Sequence, residues 1–250
     1  MPFRLTNAPT TFQATMNDLF QPHLRKFVLV FFDDILIYSK TWKGHLKHLD
    51  QVLSILQENQ FYAKMSKGTF GEEEVKYIGH VISKEGVKVD PKKIKAITKW
   101  SDPKSISKLT GFLGLTRYYC RFVKNYAHIT APLTNLLNKN SFPWSEDARK
   151  CFESLKNVMT TTPVLTTPNF SKHFVIECDA SGFGIGEVLM QDGHPITFES
   201  RKINKSECLK STYNKEMLAI IHALTKWRQY LLGSKFLIRT NHNSLQYLLQ

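Results

Sequence analysis

The run Phe27–Val28–Leu29–Val30–Phe31–Phe32–Asp33–Asp34–Ile35–Leu36–Ile37–Tyr38–Ser39 constrains this chain more than any other stretch. Two adjacent carboxylates sit between two apolar, strand-like runs. Unpaired charge inside a core is costly, so the chain must turn at the acids and bring them to a surface. The pattern predicts a hairpin with Asp33 and Asp34 at its tip. An Asp-rich turn is a common strand connector. A carboxylate pair held at a tip is also a ligand set for Mg²⁺ presented to phosphate. The stretch alone leaves both readings open.

Charge narrows the partners. The 250-residue chain has a formal net charge of +13, which selects polyanions, nucleic acid first and an anionic membrane surface second. No segment is long and apolar enough to span a membrane. The opening Met1–Pro2–Phe3–Arg4 lacks the apolar core of a signal peptide. Cys120, Cys151, Cys178 and Cys208 are scattered without a CxxC pair. That argues against structural zinc and a disulfide scaffold, and fits a reducing compartment. The histidines have no HExxH spacing; His45 and His48 share a helix face and are expected at the surface.

Periodicity separates three regions of a mixed α/β chain. Residues 1–88 mix helix and strand. Asn7–Ala8–Pro9 starts a helix, with Phe12, Met16, Leu19 and Phe20 at helical spacing. A second helix, Lys43–Asn59, carries Leu46, Leu49, Val52, Leu53 and Leu56 on one face. A hairpin is expected from Val75–Ile82, a turn at Ser83–Gly86, and Val87–Val89. Residues 89–162 read as helical, over Ser105–Asn125, Ile129–Asn138 and Glu146–Thr160. Asp90–Pro91 opens a further helix with Lys92, Lys95 and Lys99 on one face and Ile94 and Ile97 on the other. Such a stripe suits a solvated face and phosphate contact equally. Thr160–Pro168 reads as a linker. Residues 163–250 alternate again: strands at Phe174–Cys178, Ile185–Met190, Pro195–Glu199 and Phe236–Thr240, with a long helix at Thr212–Leu232. That order suggests an α/β domain with a mixed sheet.

Asp179 follows a buried strand and precedes Ala180–Ser181–Gly182. Glu216 is in line with the apolar Ile220, Leu224 and Trp227, so it is placed to converge with Asp179 on a metal. A solvated acid near a helix start is the competing reading. The end of the fourth strand, Thr240–Asn241–His242, is where a third ligand belongs. At the N-terminal helix start, Gln13 can hydrogen-bond a base or phosphate, or serve as an ordinary helix residue.

Together these segments resemble the Pol polyprotein of gypsy-like LTR retrotransposons, from within the reverse transcriptase, through thumb and connection, into ribonuclease H. Pro2–Phe3, Leu5, Asn7–Ala8–Pro9 and Thr11–Phe12–Gln13 look like the template- and nucleotide-contacting segment. Phe32–Asp33–Asp34 looks like the YxDD polymerase motif, and Tyr77–Ile78–Gly79–His80 like the primer-grip hairpin. Gly111–Phe112–Leu113–Gly114–Leu115, Tyr118–Tyr119 and Arg121–Phe122 resemble the thumb. Asp179–Ala180–Ser181, Gly184–Ile185–Gly186, Tyr213 and Lys215–Glu216 resemble ribonuclease H.

The resemblance implies a partial polymerase palm at 1–88, a helical thumb/connection at 89–162 and a ribonuclease H-like domain at 163–250. It implies RNA-directed DNA polymerase and RNA–DNA hybrid endonuclease chemistry with two Mg²⁺ (or Mn²⁺) ions. By that analogy Asp33 binds the polymerase metals and Asp34 supports them, while Asp179 and Glu216 bind the nuclease metals. Gln13, Tyr77, Gly79, His80 and the Lys92, Lys95 and Lys99 stripe become nucleic-acid or nucleotide contacts. Implied partners are template-primer, RNA–DNA hybrid and the remaining Pol segments, with no membrane, in a cytoplasmic particle or nucleus.

The chain departs from the pattern at several points. Arg4 replaces glycine, Arg117 glycine, Cys120 arginine and Glu187 alanine. Asn241 replaces the third nuclease aspartate and loses the charge that attracts Mg²⁺. The family's other polymerase aspartate and fourth nuclease acid fall outside residues 1–250. The expectation is two incomplete sites, the alternative being a non-enzymatic nucleic-acid-binding remnant of a decayed element.

Overall fold

The computed structural model describes residues 8–137, 142–182 and 184–240. The chain divides into two compact units between Ile78 and Gly79, inside the stretch read as one strand. Both residues have positive φ, 48° and 70°, so the chain turns there and the stretch becomes two strands.

The first unit contains α1 (Ala8–Phe20), β1 (Val28–Phe31), β2 (Asp34–Ile37), α2 (Trp42–Glu58), a 3₁₀ turn (Met65–Lys67) and β3 (Glu74–Tyr77). Met16 and Phe20 of α1, Phe27, Val28 of β1, and Val52 and Leu56 of α2 form its core. β1 and β2 pair antiparallel with Phe31 opposite Asp34. The loop is therefore Phe32–Asp33, one residue earlier than expected, and Asp34 opens β2. Phe32 has φ of 50°, a left-handed conformation that turn statistics assign to Gly or Asn, so residue type concealed the turn. On α2 the predicted apolar face is split. Val52 and Leu56 are buried, whereas Leu46 and Leu53 are 48% and 43% exposed. His48 is half-buried rather than on the surface: its ring stacks 3.9 Å from Phe27 and its Nδ1 lies 2.7 Å from Ser39 Oγ.

The second unit begins with β4 (His80–Ser83) and β5 (Gly86–Val89), an antiparallel pair. Helices α3 (Pro91–Thr98), α4 (Ile106–Tyr118), α5 (Tyr126–Leu136) and α6 (Glu146–Thr160) follow. They bury Leu109, Phe112, Leu133, Phe152, Leu155 and Met159 in a common core. The expected helix Ser105–Asn125 ends at Tyr118, gives way to a 3₁₀ turn at Cys120–Phe122, and reverses at Asn125, where φ is 56°. The expected linker Thr160–Pro168 is pinned. Leu165 is buried, and it exchanges two 2.8 Å backbone hydrogen bonds with Val87.

The sheet contains β6 (Phe174–Ala180), β7 (Gly184–Gln191), β8 (His194–Lys202) and β9 (Phe236–Thr240), in the spatial order β8-β7-β6-β9. β9 runs parallel to β6, and the other neighbours are antiparallel. Between β8 and β9 lie α7 (Lys205–Cys208), α8 (Thr212–Lys226) and α9 (Arg228–Leu231), so the predicted long helix breaks at Trp227. Ala219, Ala223 and Trp227 close one sheet face over Phe174, Ile176 and Leu189. Alternation along the strands puts Asp179, Gly186 and Ser200, which lie side by side in register, on the opposite face. Ala127, at the start of α5, donates its N–H to Ser200 Oγ at 2.9 Å on that face.

Candidate functional site

In the first unit the acids sit on a clamped turn. Gln13 of α1 accepts the Phe32 N–H with its Oε1 and donates from Nε2 to the Val30 carbonyl. One side chain thus holds the end of β1 and the first loop residue, on the side of the turn that leads into Asp33. Asp33 and Asp34 are both exposed, and among the described residues no hydrogen bond or ion pair engages either carboxylate. The Phe31 and Phe32 rings, 45% and 39% exposed, flank them. Burial raises the Tyr77 hydroxyl pKa and the Asp34 charge adds to the effect, which places Tyr77 within electrostatic reach of Asp34. Replacing Gln13 with alanine should cost about 1 kcal/mol and speed amide exchange at Phe32. Unchanged Phe32 protection would show that the clamp does not hold the turn.

In the second unit Gly79 meets Tyr119, whose hydroxyl donates to the Gly79 carbonyl at 3.0 Å. The His80 ring packs among Tyr118, Tyr119 and Phe122 at 5.4–5.6 Å. Burial first, then the neighbouring Tyr118 and Asp90, pushes the Tyr119 hydroxyl up to about 12. Lys92, Lys95 and Lys99 are exposed, while Ile97 beneath them is buried.

The sheet carries the second pair of acids. Asp179 lies exposed near the end of β6, and Glu216 of α8 is 4% exposed. Glu216 Oε1 accepts the Ala180 N–H at 3.3 Å and its Oε2 accepts the Thr240 hydroxyl at 3.0 Å. The helix thereby pins its carboxylate to the ends of two parallel strands, at the backbone of the residue that follows Asp179. Each carboxylate oxygen keeps a lone pair for a cation. Burial, with Glu187 and Glu216 adding, pushes the Cys178 thiol up to about 12, so it stays protonated. A cavity of about 310 Å³ opens on the Asp179 face and is also lined by Lys124, Asn125, Glu177, Arg239 and Thr240. Arg239 is already paired with Glu177 at 3.4 Å. Sequence reasoning missed Lys124 and Asn125, because both lay inside a run read as continuous helix. Asn241 and the segment from Pro2 to Asn7, Arg4 included, lie outside the described residues.

Glu187 is paired. It faces α8, where His222 Nδ1 lies 2.9 Å from its Oε1, but its buried Oε2 has no partner. Burial raises its pKa, and the hydrogen bond to His222 offsets part of the rise.

Residues 1–82 match the family model described as reverse transcriptase (RNA-dependent DNA polymerase), and residues 144–238 that of an RNase H-like domain found in reverse transcriptase. The Retrovirus-related Pol polyprotein from transposon 297 of Drosophila melanogaster is 40% identical over 99% of this chain, which spans 24% of that relative. The corresponding polyprotein from transposon gypsy of the same organism is 36% identical over 99% of the chain and 25% of the relative. This chain belongs to the gypsy-like Pol polyprotein family, as a piece of its reverse transcriptase–ribonuclease H segment. It spans about a quarter of the length of those curated Pol relatives. The fold agrees: foamy viral protease-reverse transcriptase, solved with an RNA/DNA hybrid, superposes with a TM-score of 0.88 at 24% identity, over 99% of this chain and 34% of that one. Reverse transcriptases and ribonucleases H generally use divalent metal ions. In this Pol segment, both acidic pairs have the donor chemistry for such ions.

Proposed function

We propose that this chain is the part of a Pol polyprotein that engages template-primer and RNA–DNA hybrid, with a polymerase-type site at Asp33–Asp34 and a nuclease-type site at Asp179–Glu216. The carrying observation is Glu216, buried and hydrogen-bonded across the ends of β6 and β9, to the residue after Asp179 and to Thr240. Those two hydrogen bonds hold the buried carboxylate in place, and the lone pairs it keeps are what a cation would use. Asp33 with Asp34, and Asp179 with Glu216, would each hold Mg²⁺ (or Mn²⁺). When bound, the ion supplies charge stabilisation at a phosphate. Gln13 fixes the turn that carries Asp33. The exposed Lys92, Lys95 and Lys99 would contact nucleic acid, as would Gly79 and His80 and, in the first unit, Tyr77.

Asn241 leaves the nuclease site one negative charge short of the family pattern, so hybrid cleavage should be weak. The Asn241→Asp variant should bind Mn²⁺ more tightly and raise Mg²⁺-dependent hybrid cleavage by about tenfold or more, and Asp179→Ala in that background should abolish the gain. An Asn241→Asp chain with neither tighter Mn²⁺ binding nor more cleavage would overturn the site assignment. The second reading, a binding-only remnant, is favoured by Asn241 itself. It predicts salt-dependent hybrid binding with no cleavage by either chain.

A further inference from the structure

The helical region reaches onto the sheet face that carries Asp179. Asp179, Gly186 and Ser200 form a row across β6, β7 and β8. Above the row, Asn125 packs on Gly186 so closely that a Cβ there would collide with its Oδ1. Asn125 sits at the N-cap position of α5, yet its side chain makes no capping bond. The helix start is instead satisfied from the sheet, by Ser200 Oγ on the Ala127 N–H. Farther along α5, Lys202 Nζ donates to Asn135 Oδ1 at 3.1 Å. These contacts fix the residue just before Asn125, Lys124, at the rim of the Asp179 cavity. Lys124 is exposed, and no ion pair engages it among the described residues. The cavity's other cation, Arg239, is already neutralised by Glu177.

We propose that Lys124 is a phosphate contact of the Asp179–Glu216 site, supplied by the helical region and positioned by the Asn125–Gly186 interlock. The site is then composite: the sheet and α8 supply carboxylates, and the turn before α5 supplies the positive charge that meets a nucleic-acid phosphate. A phosphodiester brought to carboxylate-held metal needs its remaining charge met, and an unpaired ammonium at the cavity rim meets it. This inference rests on the nuclease-type reading of the same site.

The probe is a labelled RNA–DNA hybrid titrated onto the full-length chain with Ca²⁺, and again with EDTA. Wild type should bind more tightly with Ca²⁺. Lys124→Ala should remove most of that gain, about a five- to tenfold loss, and lower the salt slope by about one counterion. Lys150→Ala, on α6, should do neither. Lys124→Arg should restore the gain. Gly186→Ala, which pushes Asn125 aside without removing charge, should imitate Lys124→Ala in a chain whose circular dichroism is unchanged. No Ca²⁺-dependent gain in wild type would sink the nuclease-type reading. A gain that survives Lys124→Ala would sink this inference alone. A loss equal with and without Ca²⁺ would make Lys124 a general surface cation and also overturn it.

Discussion

Replacing Glu187 with glutamine should stabilise the chain at pH 8 by about 2 kcal/mol. Glu187 is 4% exposed, and one of its carboxylate oxygens is buried without a partner. Its neighbours explain why the charge is poorly tolerated. Glu199 lies directly across from it on β8, and among the described residues the one side chain hydrogen-bonded to it is His222. Lys226, one turn farther along α8, is engaged by Glu199 at 3.3 Å. Arg201 lies close enough to lower the Glu187 pKa slightly, but it is held by Glu207.

Burial holds the Glu187 carboxyl above its ordinary value of 4.5. A carboxyl whose pKa is higher folded than unfolded contributes stability in full below the unfolded value. That contribution is lost as pH rises through the folded value. Wild type and Glu187→Gln should therefore unfold at similar urea concentrations in acid. The variant's advantage should open as pH climbs past 4.5 and level off above the folded pKa. A variant less stable than wild type at pH 8 would mean that the His222 pair outweighs the burial cost.

Gly86→Ala should cost about 3 kcal/mol or more. Gly86 has φ of 135°, and an added Cβ would run into the carbonyl oxygen of Leu165. That carbonyl accepts the Val87 N–H, so the clash falls on the bond that joins β5 to the chain beyond α6. The Val87 and Leu165 amides should lose exchange protection before the α8 amides do. Equal stability of the two chains would show that the backbone can move away at no cost.

The elements were largely legible because burial imposes period on sequence. The apolar stripe of α3 and the alternation of β6 follow directly from packing. What escaped the sequence was backbone conformation at unexpected residues. Phe32, Ile78 and Asn125 all adopt positive φ, and each marks an expectation that moved: the hairpin tip, the single strand over 75–82, and the helix over 105–125. None is glycine, so composition gave no warning. The acidic pairs stood out because a carboxylate beside an apolar run is anomalous. Lys124 did not, because one more lysine in a strongly basic chain is unremarkable by type. Its interest comes from the turn that carries it, and that turn depends on sheet residues far along the chain.

The Ser200 cap on α5 also sets a timetable. The donor and acceptor are 73 residues apart. At ordinary synthesis rates, about 5–20 residues per second, the start of α5 leaves the ribosome about 4–15 s before the hydroxyl that completes it. Until β8 arrives, the Ala127 N–H has only water to satisfy it. The first turn of α5 therefore stays uncapped for that interval, and a slow codon before residue 200 would lengthen it.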